Sequence, residues 1–279
     1  MNRSIGIGVA ALSLAVAAAL GGYALYRSAP GATRSEPTVV STGPYSASAP
    51  SVPASQIQHP LQLPAGLPPL PAENKTEAYV EDRLIDLLGR QAVLSMVNTS
   101  HFVANFVATV DNLPRESASS MVWPVKPAPE RFLVEQVDGA SVISPKNADR
   151  YAPMVNLLET LDANSAVALY RHLYPLFQQA YESLGYPGKY FNDRLVAVID
   201  HLLQTPEPAG PIRLTLTEVK GPVPSTRPWV RYQFAEANLE ACSAGQKLLM
   251  RMGLAQERRV KTRLAEFRQQ LVLGGQSTR

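Results

Sequence analysis

From Ile5 to Tyr26 the chain carries no charged side chain. About 20 apolar residues in a helix cross the hydrocarbon core of a bilayer, so this run predicts a membrane span, and the residues after it must fold outside the lipid. The run is terminal and has no polar face, which argues against a buried core helix. A cleaved signal peptide carries a shorter apolar core, ~7–15 residues, then a small-x-small site. Gly22-Tyr23-Ala24 fits that pattern but lies inside the run, and Ser28-Ala29 is followed by Pro30. An uncleaved signal anchor over residues 5–26 is the favoured reading. Arg3 on one side and Arg27 and Arg34 on the other give no clear charge asymmetry. Large domains translocate largely regardless of charge, so residues 1–4 are expected in the cytoplasm and the large remainder outside.

Residues 27–72 read as a disordered tether. Pro30, Pro37, Pro44, Pro50, Pro53, Pro60, Pro64, Pro68, Pro69 and Pro71 recur among Ser, Ala, Thr and Gly. Such a composition buries too little apolar surface to offset ordering entropy. Proline stiffens it toward polyproline II, with a reach on the order of 100 Å. His59, inside it, reads as solvated.

Residues 73–279 then form one globular domain. Hydrophobic residues at 46% and charged residues at 18% suit a packed core. The net charge of +3 leaves the folded part near neutral once the flanking arginines are set aside, which excludes a general nucleic-acid binder. Cys242 stands alone, so no internal disulfide forms, and it reads as a packed thiol.

Apolar spacing predicts a mainly α fold with one or two short β-elements. A first helix carries Val80, Leu84, Leu87 and Leu88 behind Thr76 as cap. A second runs through Phe102, Phe106, Val107 and Val110 behind Ser100 and stops at Leu113-Pro114. Asp138-Gly139 predicts a hairpin between Phe132–Glu135 and Ser141–Ile143. Asp149 reads as the cap of a helix through Leu161, and Asp162 as the start of the next, which Pro175 should kink or break. Gly185-Tyr186-Pro187-Gly188 is a turn, and it leads into a helix with Phe191, Leu195, Val198, Ile199 and Leu202. Ile212, Leu214 and Leu216 should pair with Val230, Tyr232 and Phe234. Two helices close the chain, one over about Ala237 to Met252 and one carrying Val260, Leu264, Phe267 and Leu271.

The candidate interaction surface centres on the aromatic segment. Tyr170, Tyr174 and Tyr181 share one helix face, with Tyr186 and Tyr190 just beyond. They form either a core stripe or a groove for a peptide or glycan. Arg171, Asp193 and Arg194, with Glu182 and Lys189, bracket the turn and could pair with one another or bind a polar ligand. His101, His172 and His201 have no metal-ligand spacing, and no metal or cofactor is expected. From Lys247 onward the chain is basic, with Arg251, Arg258, Arg259, Lys261, Arg263, Arg268 and Arg279 against Glu257 and Glu266. That face either pairs with an acidic body or meets an anionic surface such as phospholipid headgroups or a wall polymer.

Five stretches carry a resemblance: Asn105–Pro114 (NFVATVDNLP), Leu173–Tyr181 (LYPLFQQAY), Leu184–Gly188 (LGYPG), Phe191–Val196 (FNDRLV) and Ser243–Leu249 (SAGQKLL). In this order they resemble the bacterial domain-of-unknown-function family 3014, from about residue 70 to the end. The resemblance implies a Gram-negative envelope protein with an amino-terminal anchor and assigns no activity and no site residue. Anchor, tether and domain together read as a single-pass protein of the bacterial inner membrane with a periplasmic, non-catalytic binding or scaffolding domain, its partner an envelope protein or wall polymer. The rival is an envelope hydrolase using His172 or His201 with Asp193 or Glu182. A scaffold that only oligomerises is the third.

Overall fold

The computed structural model describes residues 57–63, 66, 69–217 and 230–273. The Ile5–Tyr26 run and the start of the tether lie outside them. Among the described residues no helix is long and apolar enough to cross a membrane.

The described chain is mainly helical. In order come α1 (Thr76–Leu88), α2 (Arg90–Met96), α3 (Phe102–Asn112), β1 (Val134–Val137), β2 (Ala140–Ile143), α4 (Asn147–Thr160), α5 (Ala163–Ser183), α6 (Phe191–Leu203), β3 (Leu214–Leu216), β4 (Tyr232–Phe234), α7 (Ala237–Glu240), α8 (Ala244–Arg251) and α9 (Leu254–Leu273). The expected periodicities land on these elements, but several ends differ for local reasons. Thr76 is the first residue of α1 rather than its cap, because a 3-10 turn over Glu73–Lys75 leads into the helix. His101, in the left-handed region at φ 51°, stands before α3 instead of Ser100. Asp149 lies in the first turn of α4, which starts at Asn147. The Asn147 side chain is buried and brackets Leu133, accepting from its N–H (3.0 Å) and donating to its carbonyl (2.7 Å). Asp162 does cap α5, accepting from the Ser165 N–H at 2.7 Å. Helix α5 runs unbroken through Pro175, since packing of its aromatic face outweighs the one backbone bond the proline lacks. The expected helix over Ala237–Met252 divides in two. Ser243 accepts from the Gln246 N–H while the Gln246 side chain accepts from the Ser243 N–H, a capping box that starts α8 afresh.

Strands β1 and β2 form an antiparallel hairpin, with Val137 opposite Ala140 across a two-residue turn. Asp138 (φ 50°) and Gly139 (φ 76°) both have positive φ, the conformation such a turn requires. Strands β3 and β4 pair antiparallel as expected, Leu214 facing Phe234. An Ile143 N–H to Ile212 carbonyl bond of 3.1 Å links the two pairs.

The main core lies between α3, α5, α6 and α9. Phe106, Tyr170, Phe177, Phe191, Leu195, Leu264 and Phe267 fill it, each essentially inaccessible. Helix α3 packs on α5 and α6, and α9 crosses α4, α5 and α6. A smaller cluster of Leu214, Phe234, Leu239 and Met250 lies under the strands. Fully buried Arg251 stacks its guanidinium on the Phe132 and Phe234 rings (5.9 and 5.2 Å) and donates to the Tyr232 carbonyl (3.1 Å). The architecture thus brings the carboxyl end of α3, the amino end of α6 and the amino end of α8 to one side of the main core.

Candidate functional site

Four of the five stretches behind the resemblance converge at that side. Asp111, in the last turn of α3, has a side chain only 2% exposed. Its carboxylate is nevertheless well solvated by protein donors. Arg115 pairs with Oδ2, the Tyr186 hydroxyl donates to Oδ2 at 3.0 Å, and Arg194 Nε donates to Oδ1 at 3.0 Å. Arg194 also donates to the Asp111 carbonyl at 2.8 Å, and Arg115 to the Tyr186 hydroxyl at 3.1 Å. The carboxylate holds the Arg115 guanidinium above its ordinary pKa. A buried charge with donors on both oxygens is stable where a lone one would not be. One carboxylate therefore ties α3, the 185–188 turn and α6 together.

Helix α8 docks on the same corner by close backbone approach. The Ala244 and Gly245 N–H groups donate to the Arg115 and Leu113 carbonyls (2.7 and 2.9 Å). A Cβ on Gly245 would lie 2.6 Å from Leu202 Cδ2 and 3.2 Å from the Leu113 carbonyl oxygen, so a side chain there would force Leu202 and the Leu113 backbone to shift. Ser243 meets His201 Nε2 at 2.8 Å, and Gln246 Nε2 donates to the His201 carbonyl at 3.2 Å. Burial and the nearby Arg194 cation push the His201 pKa down. The Ser–His contact resembles part of a nucleophile pair. Ser243 Oγ, however, is already committed as the α8 cap, and among the described residues no carboxylate bonds the other imidazole nitrogen.

The aromatic segment divides into two parts. Tyr170, Tyr174 and Tyr181 are 0%, 5% and 5% exposed, so they form a core stripe and not an open groove. Burial pushes all three phenols above their ordinary pKa. Tyr181 stacks on Tyr186 with ring centroids 4.6 Å apart. Tyr186, Tyr190, Arg171, Asp193 and Arg194 are partly exposed. Arg171 reaches the Gln270 carbonyl (3.3 Å). The charges around the turn do not pair with one another as the sequence suggested. Gln178 does the joining instead: its amide donates to Glu182 (2.6 Å) and to the Lys189 carbonyl (2.7 Å), and its Oε1 accepts from the Tyr174 hydroxyl and the Phe191 N–H, both at 2.9 Å.

Tyr190 and Asp193 face a segment that composition assigns to the tether. Asp193 accepts the N–H of Gln58 (3.0 Å, Oδ2) and of His59 (2.7 Å, Oδ1). The Tyr190 hydroxyl accepts the N–H of Leu61 (3.0 Å), and Asn192 Nδ2 donates to the His59 carbonyl (2.8 Å). His59 is half-buried, so its expected solvation is corrected. Among the described residues, contacts with the helical body are already made at Gln58, ahead of residue 73.

The pairs required by the hydrolase reading do not form. His172 contacts the Tyr79 hydroxyl at 2.6 Å, and burial beside the Arg83 cation lowers its pKa. Asp193 and Glu182 are engaged as above. The basic carboxyl-terminal helices pair with the body: Lys247 with Glu240, Arg258 and Lys261 with Glu207, Arg259 with Glu159, and Arg268 with Asp200. Arg279 lies outside the described residues. Cys242 is half-buried, and burial raises its thiol pKa.

Sequence reasoning does not single out Asp111, Arg115, Asn192, Ser243 and Gly245 as a constellation. All but Arg115, which directly follows the first stretch, belong to the five stretches, four of which supply this corner. No curated protein and no solved structure matches the chain. A family model described as "Protein of unknown function (DUF3014)" matches residues 102–268. That span opens at the first residue of α3 and holds Asp111, Arg115, Tyr186, Arg194 and Ser243, and the chain belongs to the DUF3014 family.

Proposed function

We propose that the chain is a single-pass inner-membrane protein, anchored by Ile5–Tyr26, whose helical domain lies in the periplasm and works as a non-catalytic binding module for an envelope protein. The apolar amino-terminal run supports the anchor, as a helix of that length and character inserts into a bilayer. One observation carries the binding role. Three side chains at the amino end of α6 grip four main-chain atoms of a bent, irregular segment, which is how a surface built to hold a polypeptide works. The ionisable groups of the neighbouring corner are paired with one another, a pattern suited to holding elements in place.

The test places a photo-crosslinking benzoyl-phenylalanine at Tyr190 of the full chain in intact cells. An adduct with a second protein is expected, reduced by Asp193→Ala. Crosslinks confined to the chain itself, or to wall polymer, would refute the reading. Protease added to spheroplasts should digest the domain; protection would refute the periplasmic placement.

A further inference from the structure

We infer that the α6 face holding Gln58–Leu61 is a binding site for a bent, proline-containing segment of a partner protein, and that Gln58–Leu61 occupies it in cis as a competing strap. The inference rests on the binding-module reading and adds its ligand class and its control.

The contact chemistry sets the ligand class. The four bonds between strap and site all use strap main-chain atoms: the N–H groups of Gln58, His59 and Leu61 and the carbonyl of His59. Residues 58 and 59 form a bend, which turns the consecutive N–H groups of Gln58 and His59 onto the one Asp193 carboxylate while the His59 carbonyl accepts from Asn192. Residue 60 has no N–H to give, being proline, and the site asks for none there. The donors on either side of it are the ones taken. Such a grip reads backbone spacing and tolerates proline at one position, and the Leu61 side chain, packed on the main core, adds a preference for an apolar residue after the proline.

The strap is also a light occupant. Gln58 and Pro60 are exposed, His59 and Leu61 only half-buried, and Leu63 is 49% exposed. Beside the grip, hydrogen-bonding capacity remains unspent. Asn192 is fully buried, and its Oδ1, on the same amide that donates to His59, bonds nothing among the described residues. The fully buried Tyr170 hydroxyl in the same α5–α6 region is likewise unpartnered among them. Buried polar atoms ordinarily find partners, so a segment bringing one further donor to Asn192 would satisfy the site better than the strap does. What the strap has in its favour is connection. Residues 62–75 join it to α1, and a short tether supplies an effective concentration of the order of millimolar. A partner segment must outcompete that.

The test uses the full chain in detergent micelles and a fluorescent nonapeptide of residues 55–63 (Ser-Gln-Ile-Gln-His-Pro-Leu-Gln-Leu), read by anisotropy. The double variant His59→Pro/Leu61→Pro removes two strap donors and leaves Asp193, Asn192 and Tyr190 in place. It is expected to bind the peptide ~10-fold or more tightly than the unaltered chain. Adding Asp193→Ala should abolish that gain, with unchanged circular dichroism showing the fold intact. Equal binding by the unaltered chain and the double variant would overturn the inference, as would a gain that survives Asp193→Ala. A peptide-sensitive dimer by mass photometry would overturn the partner assignment in favour of a second copy. If the peptide fails while Tyr190 still crosslinks a partner, the inference falls and the binding-module reading stands.

Discussion

Two carboxylates, Asp111 and Asp193, organise neighbouring regions of this molecule by opposite means. Asp111 is buried and receives side chains from 4, 75 and 83 residues away, so each partner must be one particular residue. Asp193 is partly exposed and receives backbone N–H groups, which nearly any residue supplies. The first arrangement fixes elements relative to one another and demands a motif. The second holds a segment chiefly by its backbone, with Leu61 as the apolar side chain that packs on the core. The region whose charges resemble a reactive site is held by mutual pairing, and the region that reads as a tether is the one proposed to bind.

The largest effect that would break this contrast is at Asp111. Asp111→Ala strands Arg194 and Arg115 without their counter-charge. Removing one partner of a fully buried pair costs about 3–5 kcal/mol, and the partial exposure of both arginines reduces that to about 2–3 kcal/mol. Urea denaturation reads it directly, and a loss below ~0.5 kcal/mol would make the corner dispensable. Gly245→Val ranks second, because its branched side chain must displace Leu202 or the Leu113 carbonyl. Overpacking of this kind costs about 1–3 kcal/mol. Asp193→Ala should cost the global fold less than about 1 kcal/mol, since the two hydrogen bonds it removes are exposed or only part-buried.

The pH dependence sharpens the same division. His172 and His201 both titrate below their ordinary value in the fold, for reasons of burial and a nearby arginine. The unfolded chain binds protons near pH 6.5 where the folded chain does not. Their contribution is therefore complete above about pH 6.5 and is lost as pH falls through the lower folded values. Thermal melts should show a declining Tm below about pH 6.5, and His172→Gln/His201→Gln should flatten that decline. An unchanged slope in the double variant would assign the effect elsewhere.

Much of the fold was legible because helices with one apolar face announce it at a fixed period, as Leu195, Val198, Ile199 and Leu202 do on α6. The Asp138-Gly139 turn was equally plain, since few dipeptides accept two positive φ angles. Helix starts were harder. Helices α3 and α4 begin without a side-chain cap, and tertiary contacts rather than local signals fix those ends. The corner at Asp111 could be suspected from the five stretches, but its pairing depends on distances across the chain that periodicity does not encode. The tyrosine face was visible as a stripe, and burial alone decided that Tyr170, Tyr174 and Tyr181 belong to the core. The strap was hidden for a different reason. Its proline-rich composition signals an unpacked chain, and main-chain grips leave no side-chain signature to find.

Amide hydrogen exchange by NMR on the full chain compares the two regions in one experiment. The N–H groups of Gln58, His59 and Leu61 should exchange by local opening, much faster than the Leu113 and Gly245 N–H groups at the corner. In Asp193→Ala the Gln58 and His59 protection should vanish while the corner is unchanged. Strap amides that exchange only with global unfolding, or a corner that loosens together with the strap in Asp193→Ala, would contradict the separation of a fixed corner from a displaceable strap.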